Sequence, residues 1–284
     1  MGEVRGPTET APEMDLKTIR YEVRERVATI TLWRPERMNA WTGRMHTEYR
    51  WAVDRAESDA DVRAIVVTGA GRGFCVGADT QALSGHAERG GYDPGTAADL
   101  ATPGYGVSPE FDHDFAFHFG LTTPVIAAIN GPVAGVGLVL ACYCDLRFAA
   151  PEVKFTTAHG KLNLPAEYGL SWLLPRLVGL GRANDLLLSS RVFLSEEAEA
   201  MGLVNAVVDH DDLLAYTYDR ARQLATTVSR GSVAATKRQI YLDQFRGLGE
   251  SVTEAATRLD AMMGEPDFAE GVAALTEKRP PRFS

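Results

Sequence analysis

Apolar positions along the chain recur with two different periods, and the switches between them divide it into elements. Residues 19–23 and 27–32 are short runs rich in Ile, Val, Thr and Tyr around Arg24-Glu25-Arg26. They predict a β-hairpin that ends where Pro35 removes a ladder donor. Thr42 then stands as the N-cap of a helix running to about residue 56. Continuous apolar runs over 62–68 and 124–129 predict buried strands, and Asp79 caps a short helix between them. Residues 84–107, rich in Gly, Asp, Ala and Pro without period, predict a mobile surface loop. Over 109–120, Phe111, Phe115 and His118 fall at helical spacing with Phe119 beside them.

The run at 124–129 leads into the turn Asn130-Gly131-Pro132, after which Gly135-Val136-Gly137 opens an apolar segment too long for a strand. That is a strand, a tight turn and a helix N-terminus, where unpaired N–H groups and a partial positive charge can hold an anion or an oxyanion. Short strands follow at 146–149 and 153–157, then a polar loop over 159–169. Helices are predicted at 170–178 and 181–189, an edge strand at 192–194, a helix over 196–201 capped by Ser195, and a strand at 203–208. From residue 211 only helical patterns remain, at 211–228, 232–245, 250–263 and 268–277. The domain plan is a disordered tail over 1–15, a mixed α/β core over 16–208 and a helical region over 209–284.

Composition changes this picture in two ways. With 45% hydrophobic and 24% charged residues the chain is an ordinary globular one, while a net charge of −9 without a basic cluster argues against a nucleic-acid partner. Any anionic ligand must then be held by local groups. The three cysteines, Cys75, Cys142 and Cys144, are odd in number and match neither redox nor zinc spacing. No apolar run reaches membrane-spanning length, so the chain is expected to be cytoplasmic, with no membrane partner and no metal.

Two loops carry candidate chemistry. Gly69-Ala70-Gly71-Arg72-Gly73-Phe74 follows a strand and invites a dinucleotide-binding reading, but the G-x-G-x-x-G frame needs glycine at 74 or 76, where Phe74 and Val76 stand. Read onward, the loop ends Gly77-Ala78-Asp79, a second place where backbone N–H groups are free at a helix start. Glu167 stands between proline and glycine, close to Tyr168 and Trp172. Such a glutamate either partners the dipole of the following helix or, desolvated by its aromatic neighbours, exchanges protons near neutrality.

From about residue 19 to 283 the chain resembles the crotonase, or enoyl-CoA hydratase/isomerase, superfamily. The resemblance lies in RPERMNAW, VVTGAGRGFCVGAD, PVIAAINGPVAGVGLVLACYCDLRFAA, KFTTAHGKLNLPAEYG, SEEAEAMGLVNAVV and the terminal EKRPPRF. It implies an α/β fold with a crotonase-like ββα spiral core and a C-terminal helical region that assembles the chain as a homotrimer or hexamer. It also implies an acyl-CoA substrate of fatty acid metabolism, with coenzyme A as part of the substrate and no separate cofactor. By motif, the amides of Ala78 and Val136 would be the oxyanion-hole donors. Arg37, Met38 and Ala40, with Gly77, Asp79 and Thr80, would contact the substrate, the 37–40 segment meeting the adenine through its backbone.

The resemblance departs at the acid/base groups. Where the hydratases of this family carry two glutamates, this chain has Val139 and His159. Glu167 matches, by count from Phe155, a position where isomerases and dehalogenases of the family carry a working aspartate. The resemblance therefore implies double-bond isomerisation through Glu167. Water activation by Glu167 and a non-catalytic CoA-ester binding role are the alternatives. His159 is expected to be structural or merely polar, Asp112, His113 or Asp114 to reach in from the aromatic segment, and the aromatic stripe to be either core or the wall of an acyl pocket.

Overall fold

The computed structural model describes residues 14–89 and 107–284. Two sheets share the chain. The larger has the order β1-β2-β3-β4-β6-β9, formed by β1 (Ile19–Arg24), β2 (Val27–Leu32), β3 (Ala64–Gly69), β4 (Val125–Ile129), β6 (Leu146–Ala149) and β9 (Ala206–Val207). The smaller has the order β5-β7-β8, from β5 (Val133–Ala134), β7 (Lys154–Thr156) and β8 (Phe193–Leu194). Only the β1–β2 and β7–β8 pairs are antiparallel. After β1, β2 and β3 have all joined the first sheet, the chain alternates between the two, with β4 and β6 in the first and β5 and β7 in the second.

The local rules behind this are visible residue by residue. Glu25 and Arg26 both have positive φ, 50° and 66°, which matches the tight hairpin turn to the right-handed twist of its strands. Strands β3 and β4 are buried along their whole length, as strands of a sheet covered on both faces must be. The Thr42 side chain accepts the Met45 N–H at 3.1 Å and starts α1 (Gly43–Ser58).

Helices α7 (Leu213–Thr227) and α8 (Arg230–Leu242) pack back onto the core. Lys237 of α8 is buried and reaches the Thr123 carbonyl at 3.1 Å and Asp145 Oδ2 at 2.7 Å, while the Tyr241 hydroxyl donates to Asp145 Oδ1 at 2.7 Å. The same Asp145 accepts the Val125 N–H, so one carboxylate ties the helical region to β4. Helices α9 (Leu248–Met263) and α10 (Pro266–Glu277) complete the chain.

Several elements differ from the sequence expectation. Residues 109–120 are not an α-helix but a series of turns ending in a 3-10 helix, Ala116–Gly120, with Phe115 at φ 61°. The rings at 111, 115 and 119 are placed by aromatic contacts with other elements, so their spacing imitates a helical period. The segment expected as loop from residue 84 is helical at its start, because α2 (Thr80–Arg89) runs through it; residues 90–106 lie outside those described. Ser195 does not cap α6 (Ser195–Ala200); its hydroxyl accepts the Val153 N–H at 3.1 Å. The strand expected at 203–208 shortens to β9 because the Leu203 and Val204 N–H groups turn back to the Ala198 carbonyl. The tail expected over 1–15 falls outside the described residues up to position 13.

Candidate active site

Parallel strands deliver their loops to one edge of a sheet, and sites collect there. Here β5 and β7 run parallel with Val133 opposite Phe155 and Ala134 opposite Thr156. Gly135-Val136 and Thr157-Ala158-His159 therefore leave the same edge, joined by the Gly135 N–H on the Thr156 carbonyl at 3.1 Å.

Val136 opens the fully buried helix α3 (Val136–Tyr143). As the first helical residue its N–H has no intrahelical acceptor, and it has no other partner among the described residues. Gly135, at φ 49°, makes the turn that aims it outward. Gly137 is required by contact: a Cβ there would lie 2.2 Å from the Cys75 carbonyl oxygen.

Ala78 is freed by a different device. Trp41 bridges in parallel to Ala78, with the Trp41 N–H on the Gly77 carbonyl at 2.7 Å and the Asp79 N–H on the Trp41 carbonyl at 2.9 Å. In such a bridge the bonds come from the residues flanking Ala78, and its own N–H points the other way. It too has no partner among the described residues. The two loops touch, since a Cβ on Gly135 would sit 3.7 Å from the Gly77 Cα. The residues that follow these two touching glycines are Ala78 and Val136.

The other residues expected on the substrate divide into exposed and committed ones. Arg37 and Thr80 are exposed, whereas Asp79 is buried, accepts the Gln81 N–H at 2.9 Å as a helix cap and pairs with Arg34 at 2.9 Å. The Arg34 and Gln81 donors hold its carboxyl below the usual carboxylate range despite burial, which pushes the other way. Met38 has a left-handed φ of 52°, and its carbonyl accepts the Val76 N–H at 3.3 Å. The Ala40 N–H bonds the Arg37 carbonyl, and its own carbonyl accepts Arg34 Nη1 at 2.6 Å.

Sequence reading missed what holds this loop. Asn39 is fully buried, donates to the Ala70 and Gly73 carbonyls at 2.9 and 2.7 Å, and accepts the Arg34 N–H at 2.8 Å. A polar residue between Met38 and Ala40 was the signal available for it. Arg34, which braces Asp79, carried none.

Glu167 is half-buried beside His159, and among the described residues its carboxylate has no hydrogen-bond partner. Burial pushes its carboxyl above the usual value, and the nearby His159 pulls the other way. The following Tyr168 and Gly169 both take left-handed φ, 47° and 72°. The Tyr143 hydroxyl, at the end of the helix that Val136 begins, donates to the Tyr168 carbonyl at 2.7 Å. Burial pushes the Tyr143 phenol up to about 12, so it stays a donor. Val139, at one hydratase glutamate position, lies in the core.

A cleft of about 500 Å³ lies against Tyr168 and Gly169, lined also by Phe111, Phe119, Trp172 and Phe245, with His113 and Asp114 at it. Neither Ala78 nor Val136 lines it. The aromatic stripe thus splits. Phe111 and Phe119 face the cleft, while Phe115 and His118 are core, His118 Nε2 pairing with the Tyr49 hydroxyl at 2.9 Å. Burial pushes His118 down to about 3, which leaves it neutral. All three cysteines are buried, with Cys75 and Cys142 pushed up to about 12, so none is a thiolate near neutrality. Among the described residues no cluster of His, Cys, Asp and Glu could hold a metal, and no helix is long and apolar enough to cross a membrane.

A family model described as Enoyl-CoA hydratase/isomerase matches residues 22–284. A Rhodobacter capsulatus protein named Probable enoyl-CoA hydratase is 37% identical over 272 residues, which is 95% of this chain and 99% of the relative. The 1,2-epoxyphenylacetyl-CoA isomerase of Escherichia coli K12 is 34% identical over 269 residues, with the same shares of each chain. The crystal structure of an enoyl-CoA hydratase from Bacillus anthracis superposes with a TM-score of 0.82 at 27% identity, across 94% of this chain and 99% of that one.

Proposed function

The chain belongs to the enoyl-CoA hydratase/isomerase family, and from that premise we propose that it shifts a double bond in an acyl-CoA thioester, with Glu167 moving the proton. The observation that carries this reading is the Glu167 carboxyl itself. It is half-buried, unpartnered among the described residues and raised above its usual value, as suits a group that must both take and return a proton.

The chemistry balances without water or oxidant. The Glu167 carboxylate removes a proton from a carbon next to the double bond, and the C–H electron pair delocalises onto the thioester oxygen. The Ala78 and Val136 N–H groups hold that oxygen while it is negative. Fixed donors of this kind need no reorganisation as charge develops, and removal of one costs on the order of 10²–10³ in rate. Protonation by the Glu167 carboxylic acid at a different carbon restores the thioester carbonyl and the carboxylate. The loop from Arg37 to Ala40 receives the adenine of coenzyme A on its carbonyls. Their first lone pairs are engaged within the protein, and the second ones accept.

Glu167→Gln is expected to lower turnover of an enoyl-CoA by at least about 10²-fold while the affinity for the ester, measured by calorimetry, stays near wild type. Undiminished turnover in that variant sinks the proposal. A hydroxyacyl product carrying solvent oxygen would replace isomerisation by water addition.

A further inference from the structure

The cleft beside Glu167 has walls that discriminate among acyl groups. Phe111 meets Phe119 edge-on, with centroids 6.2 Å apart at 87°, and leans on Phe245 at 6.2 Å and 56°. Phe119 tilts against Tyr143 at 5.0 Å and 51°. Trp172 stacks on Phe245 at 5.5 Å and 11°, and the Arg176 guanidinium lies 3.8 Å from its ring centroid. Four of these contacts join rings that line the cleft to one another, and the Arg176 guanidinium reaches Trp172 from outside the lining. The cleft is therefore bounded largely by oriented aromatic rings, with Ala116 the one aliphatic side chain and Glu110, His113 and Asp114 the charged or polar ones among its lining residues.

Orientation matters because aromatic rings attract one another in offset-stacked and edge-to-face arrangements beyond the area they bury. A planar guest collects that increment from a wall of pre-set rings, and a straight alkyl chain collects burial alone. The volume, about 500 Å³, falls in the range of sites that enclose a small molecule. Its position supplies the link to chemistry, because Tyr168 and Gly169, which line it, follow Glu167 directly in the chain. Glu167 does not itself line the cleft, so the link is this contiguity of chain.

We infer that the cleft is an acyl subsite selective for a planar cyclic group, aryl or cycloalkenyl, with Trp172 and Phe111 as specificity-determining residues. This rests on the placement of an acyl-CoA near Glu167 made above, and it adds the substrate class.

The test uses binding of non-reacting saturated esters to the full chain, so it does not depend on the reaction. Isothermal titration compares phenylpropanoyl-CoA with hexanoyl-CoA on wild type, Trp172→Leu and Trp172→Phe. Wild type is expected to bind the ring ester about tenfold more tightly, the increment of one or two good ring contacts. Trp172→Leu should bring the ratio close to one, and Trp172→Phe should retain most of it. Because Leu and Phe both fill the site with apolar volume, a general loss of fold would lower both affinities in both variants and leave the ratio as the deciding quantity. Equal binding of the two esters by wild type, or a ratio that Trp172→Leu does not move, overturns the subsite even if Glu167-dependent turnover is found. A ring preference lost in Trp172→Leu, together with undiminished turnover in Glu167→Gln, supports the subsite and rejects the reaction.

Discussion

Ala78 and Val136 present main-chain N–H groups fixed by sheet bridges and by a fully buried helix, whereas Glu167 stands on a loop whose preceding residues 160–165 are all exposed. The first pair is over-determined. Gly77 and Gly135 are in contact, Asn39 pins one neighbouring loop through three hydrogen bonds, and the Gly135 N–H is tied to β7. The carboxylate itself has no hydrogen-bond partner among the described residues; its segment is held through the backbone, by the Leu170 N–H on the Glu167 carbonyl at 2.9 Å and the Tyr143 phenol on the Tyr168 carbonyl, and by the Phe115 ring edge-on to Tyr168. The contrast teaches that charge-stabilising and proton-moving groups need different support. In the reaction proposed above, donors to an oxyanion work when they do not move, while a carboxylate that visits two carbons works with some freedom.

The largest effect that probes this contrast is on the rigid side. Gly137→Ala drives a Cβ to 2.2 Å from the Cys75 carbonyl oxygen, a backbone atom that cannot step aside. Stability in denaturant titration is expected to fall by about 3 kcal/mol, the upper end of the usual overpacking cost, and turnover with it. A variant of wild-type stability would show that the loops around the two amides are not rigid.

Tyr143→Phe is expected to do the reverse. Loss of one hydrogen bond, about 1 kcal/mol, should lower kcat about fivefold by loosening Glu167, with little change in the melting temperature. If instead the melting temperature drops as far as in Gly137→Ala and kcat is unchanged, the division of the site into a fixed and a loosely held half is wrong.

The smallest effect comes from pH. A carboxyl raised by burial keeps its proton in the folded state at pH values where the unfolded chain has lost it. Native stability therefore falls as pH rises from the ordinary glutamate value of 4.5 through the raised one, and is level above it. Glu167→Gln removes this cost, so the variant should be slightly more stable than wild type near neutrality, with the gap closing below pH 4.5. The base form is lost as pH falls through the same raised value, so the acid limb of kcat/KM should lie above 4.5 and vanish in the variant. A variant less stable than wild type at neutral pH would mean that Glu167 is held by favourable partners rather than strained by burial.

Much of this was legible in the chain before any coordinates. The runs at 27–32 and 170–178 are elements with those same limits, and Thr42 and Asp79 cap where their side chains said they would. These signals are local, because periodicity and capping depend on neighbours in sequence. The misreadings share a different cause. Phe111, Phe115 and Phe119 are placed by rings from elsewhere, among them Tyr241 stacked on Phe119 at 3.8 Å, and no local rule encodes a partner 122 residues away. Ser195 follows the same logic, its hydroxyl accepting the N–H of Val153, 42 residues away, instead of one from its own helix. In the candidate site, the glycine-bordered helix starts could be read from sequence, but the bracing of Asp79 by Arg34 and of Tyr168 by Tyr143 could not, since both join residues 25 or more positions apart in the chain.

The unpaired amides of Ala78 and Val136 have a hereditary consequence. A point mutation rewrites a side chain, but every amino acid except proline brings the same N–H to the position it occupies. Drift at either site can crowd or widen the approach without deleting the donor. The carboxylate enjoys no such protection, because one nucleotide change in its codon can erase it. On the proposed roles, the residue that handles protons is thus the easier one for inheritance to exchange, and the two amides are the harder ones to lose.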